Sequence, residues 1–122
     1  MQIAEVTPTE QESSRPQILL IGTQGRYSGV RESNFLVYRK DGDNYVVAAS
    51  TRDGHFKPDW YLNLKEEPVV ELEVDGVQFH ARASTPVGRE RLRLWSMVEE
   101  ISDLSRHQVP RNTAIVVLTP LC

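Results

Sequence analysis

A single cysteine, Cys122, is all the thiol chemistry these 122 residues hold. A lone thiol cannot close an internal disulfide, and it cannot supply the paired cysteines of a zinc ribbon or a Cys-x-x-Cys redox site. Histidines are equally sparse. His55, His80 and His107 have no partner at helical spacing and no nearby cysteine, so no metal site is expected. Basic residues fall short of acidic ones, 14 Lys+Arg against 17 Asp+Glu, a net charge of −3. Nucleic-acid binding needs a dense cationic face, and this balance argues against it. No run approaches the roughly 20 apolar residues of a membrane span, so no transmembrane segment is expected. The first fifteen residues lack the basic start and apolar core of a secretory signal, which makes a cytoplasmic protein the expectation. No serine elbow is present either, and the sequence offers no visible acid–base machinery. If the chain is an enzyme, a cofactor should carry its reaction.

What is present is enough for one domain. Hydrophobic residues make up 39% of the chain, sufficient for a real core, while seven Gly and seven Pro punctuate it too often for a long helical bundle. Residues 1–16 are polar, with Glu5, Glu10, Glu12, Pro8 and Pro16, and read as an arm; residues 17–122 read as a single domain. Ile18, Leu19, Leu20 and Ile21 form a short strand that runs into turn residues Gly22, Gly25 and Gly29. A second strand covers 31–39, with Phe35 and Val37 alternating against Asn34, Leu36 and Tyr38. Asp41, Gly42, Asp43 and Asn44 are turn residues, which pairs this strand with 45–50 in a hairpin. Pro58 is placed to begin a short helix through Trp60, Leu62 and Leu64. Residues 69–74 and 77–83 flank Asp75 and Gly76, a second hairpin signal. Thr85 and Pro86 are suited to cap and start a helix whose Leu94, Met97, Val98, Ile101 and Leu104 define one buried face. Residues 114–118 form a last, central strand. Six strands in so small a domain want to curl and close, so the predicted fold is a mainly β, partly open antiparallel barrel with one covering helix. A two-layer α+β sandwich is the alternative.

Two clusters suggest an anion site. Gly25 and Gly29 frame Arg26 and Ser28, and Arg31 follows; glycines let backbone amides approach an anion, arginines add charge, and a serine adds a donor. The spacing matches neither a P-loop nor a dinucleotide fingerprint, and an ordinary hairpin with exposed arginines has the same pattern. Arg52, His55 and Lys57 follow the third strand, and the hairpin pairing puts that loop at the same end of the sheet. On the short helix, Trp60 could pack on a flat ring or in the core, and Asn63 offers a paired donor and acceptor to a heterocycle edge.

The strand end Val46, Val47, Ala48, Ala49, Ser50, followed by Pro58, Asp59, Trp60, Tyr61, Leu62, Asn63, Leu64 and Lys65 with Pro68, resembles the deazaflavin-dependent nitroreductase family. Ala81, Arg82 and Ala83, the helix beyond them, and Val116, Val117, Leu118, Thr119 and Pro120 extend the likeness from about Ile18 to Pro120. The resemblance implies a six-stranded split β-barrel like that of FMN-binding proteins, with one long and one short helix. It also implies that coenzyme F420 (FMN as the alternative) gives a hydride to a quinone-like, nitroaromatic or other electron-poor small molecule. In that likeness Gly25, Arg26, Ser28, Gly29 and Arg31 hold the phosphate and glutamyl tail. Ala48, Ala49 and Ser50 line the ring site, Pro58 and Trp60 present backbone groups, and Asn63 hydrogen-bonds the cofactor. Ser50 is the one candidate for a polar contact at the reacting ring. Tyr27, Glu32 and Thr51 stand where basic residues are common in the family. A homodimer is implied as well. The competing expectation is a non-catalytic split-barrel carrier for a flavin, a lipid or another ligand.

Overall fold

The computed structural model describes residues 17–49, 57–105 and 113–121, with the side chains of 102–105 left aside. Six strands form a closed antiparallel barrel: β1 (Gln17–Gln24), β2 (Arg31–Asp41), β3 (Asn44–Ala49), β4 (Val69–Val74), β5 (Val77–Ser84) and β6 (Ala114–Pro120). Around the barrel the order is β1, β2, β3, β6, β5, β4, and β4 returns to β1. Helix α1 (Asp59–Glu66) joins β3 to β4, and α2 (Gly88–Ser105) joins β5 to β6. The predicted barrel is the observed fold, and the layered sandwich is not.

The local chemistry explains the closure. At the β4–β5 turn Asp75 and Gly76 both take positive φ, 52° and 82°, the twist that a two-residue hairpin needs. In β4, Val70, Leu72 and Val74 point inward and are buried, while Glu71 and Glu73 face outward. In β2 the inner face is the one that carries Leu36 and Tyr38; Phe35 faces out and is 76% exposed. Strand β1 runs three residues past Ile21, because Gly22, Thr23 and Gln24 stay in register with Ser33, Glu32 and Arg31.

Two apolar layers result. Leu19, Ile21, Tyr38, Val47, Ala49, Val70, Leu72, Val116 and Leu118 fill the barrel, and Trp60 and Leu64 of α1 plug one end. Outside, Leu94 and Val98 of α2 cover Val46, Ile115 and Val117. Strands β3 and β6 are therefore apolar on both faces, which is why they read as unbroken hydrophobic runs.

Helix α2 begins at Gly88, later than the expected start at Thr85 and Pro86. Gly88, its first residue, has φ of 64°, a left-handed step that a helix running on from Thr85 and Pro86 could not contain. Thr85 instead accepts a hydrogen bond from Lys65 Nζ at 3.2 Å. Arg93 ties α2 to the barrel by gripping both carboxylate oxygens of Asp41, at 3.1 and 2.7 Å, while it also reaches Glu90. The Arg93 hydrogen bonds hold both carboxyl groups below the usual carboxylate range.

Candidate functional site

Strand β2 pairs with β3 only close to the turn that joins them. The β2–β3 ladder joins Arg39, Lys40 and Asp41 to Val46, Tyr45 and Asn44, whereas residues 31–38 of β2 pair with β1. At the other end of β2 the β1–β2 turn meets α1.

The turn is closed by its own backbone. Gly25 N–H donates to the Val30 carbonyl and Gly29 N–H to the Gly25 carbonyl, both at 2.8 Å, and Val30 N–H donates to Ser28 Oγ at 3.1 Å. A side chain at Gly25 would put its Cβ 2.6 Å from Ser28 Oγ, 2.9 Å from Glu32 Oε2 and 3.1 Å from the Val30 carbonyl oxygen, so any larger residue must displace its neighbours. The amides of Tyr27 and Ser28 make no hydrogen bond to another described residue. Together with the proton of the Ser28 hydroxyl they form a small set of exposed donors, suited to an anion.

Asn63 clasps the turn to α1. Its side chain is buried, and all four hydrogen-bonding positions of the amide are used. Oδ1 accepts from Arg26 N–H at 3.1 Å and from Arg26 Nη1 at 2.9 Å, while Nδ2 donates to Thr23 Oγ1 at 3.1 Å and to Glu32 Oε1 at 3.0 Å. The amide has no position left for a ligand. The resemblance implies a cofactor contact for Asn63; in this structure its hydrogen bonds all go to protein groups. Thr23, the buried partner of Asn63, and Asp59, the partner of Arg26, are residues that sequence reasoning passed over. Thr23 follows Leu19 and Ile21 at strand spacing, so alternation alone puts its hydroxyl inside the barrel, where it must find a partner.

The arginines are also engaged. Arg26 Nη2 pairs with Asp59 Oδ1 at 3.3 Å, and its guanidinium lies 4.8 Å from the Tyr27 ring centroid. Partial desolvation opposes the Arg26 charge, but hydrogen bonds and charge from Tyr27 and Asp59 outweigh it and strengthen its hold on the proton. Arg31 crosses the face of Gly22, where a Cβ would stand 3.2 Å from its Cδ, and pairs with Glu71 of β4.

The remaining expected residues divide. Ala49 faces the barrel interior and is fully buried. Ala48 faces the opposite side, against the layer under α2, because neighbours on a strand point to opposite faces; only its backbone is available to a ring site. The Trp60 indole is 5% exposed and belongs to the core, edge-on to Tyr61. Pro58 stands half-buried at the head of α1 and accepts from the Tyr61 N–H at 3.1 Å. Ser50, Thr51, Arg52, His55 and His107, like arm residues 1–16 and Cys122, lie outside the described residues. Among those described, no cluster of His, Cys, Asp or Glu could hold a metal ion, and no helix is long and apolar enough to cross a membrane.

The comparisons with known proteins now decide the lineage. A family model described as F420H(2)-dependent quinone reductase matches residues 3–120. The chain belongs to this family. An F420H(2)-dependent quinone reductase of Mycobacterium tuberculosis is 33% identical over 111 residues, covering 85% of this chain and 74% of that one. The solved structure of an F420-H2 dependent reductase superposes with a TM-score of 0.71 at 24% identity, covering 84% of this chain and 93% of the other. A second solved structure, described as a domain-swapped dimer, gives 0.72 at 22% identity over 93% and 94%. These superpositions support the barrel fold.

The hydrogen-bond donors of the turn, as distinct from its paired arginines, suit the anionic end of a deazaflavin. The Tyr27 and Ser28 amides and the Ser28 hydroxyl are donors on one exposed turn, and Gly25 keeps that turn compact.

Proposed function

We propose that the chain is an F420-dependent reductase whose acceptor is a quinone-like, nitroaromatic or other electron-poor small molecule. When bound, reduced F420 supplies the hydride. The protein's part is to bind, orient and exclude water. The observation that carries this reading is the donor-bearing turn at residues 25–30, fixed against α1 by Asn63. Gly25, Ser28 and Gly29 shape the phosphate grip, Arg26 and Arg31 set its charge, and Ala49 with the backbone of Ala48 and Pro58 borders the ring site. Ser50 is the polar group we assign to the reacting ring. Asn63 and Trp60 act indirectly: one holds the turn in place, and the other closes the barrel end beneath it. We place the reductase in the cytoplasm, on its single cysteine, and propose a homodimer, since a structural neighbour forms a domain-swapped dimer.

Titrating the purified protein with F420 while following tryptophan fluorescence tests the cofactor assignment. Saturation in the micromolar range is expected, and no change at tens of micromolar overturns it. Oxidation of reduced F420 by a naphthoquinone and by a nitroaromatic, compared side by side, then assigns the acceptor class. Native mass spectrometry after expression in an F420-producing host separates the reductase from the carrier alternative, which predicts a bound flavin or apolar ligand and no F420.

A further inference from the structure

Both arginines of the turn are already answered by carboxylates. Asp59 neutralises Arg26 and Glu71 neutralises Arg31, and Glu71 also lies 3.8 Å from His80 Nε2. Glu32 adds a third carboxylate, with one oxygen on Asn63 Nδ2 and the other close against Gly25. Glu32 and Arg26 thus share one amide: the carboxylate binds its nitrogen while the guanidinium binds its oxygen. Among the described residues that these contacts join at the turn, two cations meet three carboxylates, so neither arginine brings an unanswered positive charge to an anionic tail.

We propose that Glu32 is the specificity-determining residue of this cofactor site, a fixed negative charge that weakens binding of the anionic tail while leaving recognition of the ring intact. This rests on the F420 reading above. Discrimination by a placed repulsive charge is a general device, and here it costs the fold nothing, because the same carboxylate satisfies Asn63. A site built this way holds its deazaflavin mainly through the ring end and tolerates ligands with few tail charges.

Glu32→Gln tests it, since the glutamine carbonyl still accepts from Asn63 Nδ2 while the charge is removed. Two ligands are titrated by tryptophan fluorescence: F420, and the uncharged deazaflavin fragment that carries the ring and ribityl chain without phosphate or glutamates. F420 should bind E32Q about tenfold more tightly than wild type at low salt, with the gap narrowing as salt screens the charge. The uncharged fragment should bind both proteins equally. Equal F420 affinity in the two proteins overturns the proposal, as does an equal gain for the uncharged fragment, which would mark a change of shape. Should E32Q fail to fold, the wild type alone decides. Its F420 affinity is expected to hold steady or rise with salt, and a steep fall, the mark of a cation-driven site, refutes the idea. Absence of binding for either ligand by either protein is the distinct signature of a failed F420 reading, and it removes this inference too.

Discussion

Replacing Asn63 by leucine should cost the fold about 3 kcal/mol and loosen the cofactor turn at the same time. The side chain is 1% exposed, and it spans three elements by binding Thr23 on β1, Arg26 in the turn and Glu32 on β2 from its own place on α1. Leucine has nearly the same volume, so the barrel end stays filled and the change isolates the hydrogen bonds. Their contributions differ. The Arg26 guanidinium and the Glu32 carboxylate stand at the rim, where water can replace the lost amide, so each loses on the order of 0.5 kcal/mol. The Thr23 hydroxyl is 2% exposed, and the Arg26 backbone N–H lies under the side chain, so neither is easily hydrated. Leaving such groups unpaired costs about 1–2 kcal/mol each. The extra apolar surface of leucine returns roughly 1 kcal/mol. Urea unfolding followed by circular dichroism should show a lower midpoint with an unchanged slope. F420 affinity should fall in parallel, because the amide holds the turn that we assign to the cofactor. A variant within 0.5 kcal/mol of wild type (about the noise of such comparisons) refutes the claim that this amide is a structural clasp. So would a folded variant of normal stability that loses F420 completely, because that would return Asn63 to direct contact.

Gly25→Ala forces a Cβ to within 2.6 Å of Ser28 Oγ and 3.1 Å of the Val30 carbonyl oxygen. Ser28 can rotate away but the carbonyl cannot, so a loss of about 1–3 kcal/mol is expected by thermal denaturation, together with weaker F420 binding. Removing the hydroxyl as well, in the Gly25→Ala, Ser28→Ala double variant, should recover part of the stability and none of the binding. For pH, Arg93 hydrogen bonds depress the folded-state carboxyls of Asp41 and Glu90. A depressed carboxylate stabilises above its unfolded value and loses that contribution as pH falls through the folded one, so the melting temperature should drop below about pH 4.5. Arg93→Gln should flatten this acid limb; an identical pH profile in variant and wild type would show that the triad contributes nothing to it.

The parts of the fold that were legible in the sequence are those set by short-range backbone chemistry. Asp75–Gly76 specifies its hairpin because glycine and aspartate tolerate the positive φ of that turn, and the apolar spacing of Leu94, Val98 and Ile101 specifies a helix face without reference to what covers it. The start of α2 was misplaced because a favourable cap and proline at 85 and 86 outweighed Gly88, whose left-handed backbone decides the boundary. Ala48 and Ala49 look alike in sequence, yet strand alternation alone sends one under α2 and the other into the barrel.

The candidate site shows a sharper division. The location of the turn was readable, since Gly25 and Gly29, one and five residues past the end of β1, state it locally. The burial of Asn63 was readable too: it shares a helix face with Trp60 and Leu64, and a face that carries those residues turns inward. Its partners were not, because Thr23, Arg26 and Glu32 lie 40, 37 and 31 residues away, and no local rule links them. The same limit governs charge. From sequence the turn reads as cationic, with Arg26 and Arg31 in plain view, whereas the fold brings Glu32, Asp59 and Glu71 to it from three separate elements. The anion affinity of this reductase is therefore a property of tertiary pairing. For a relative with the same Gly-Arg-x-Ser-Gly turn, the arginines alone will misjudge the tail affinity unless the carboxylates opposite them are counted as well.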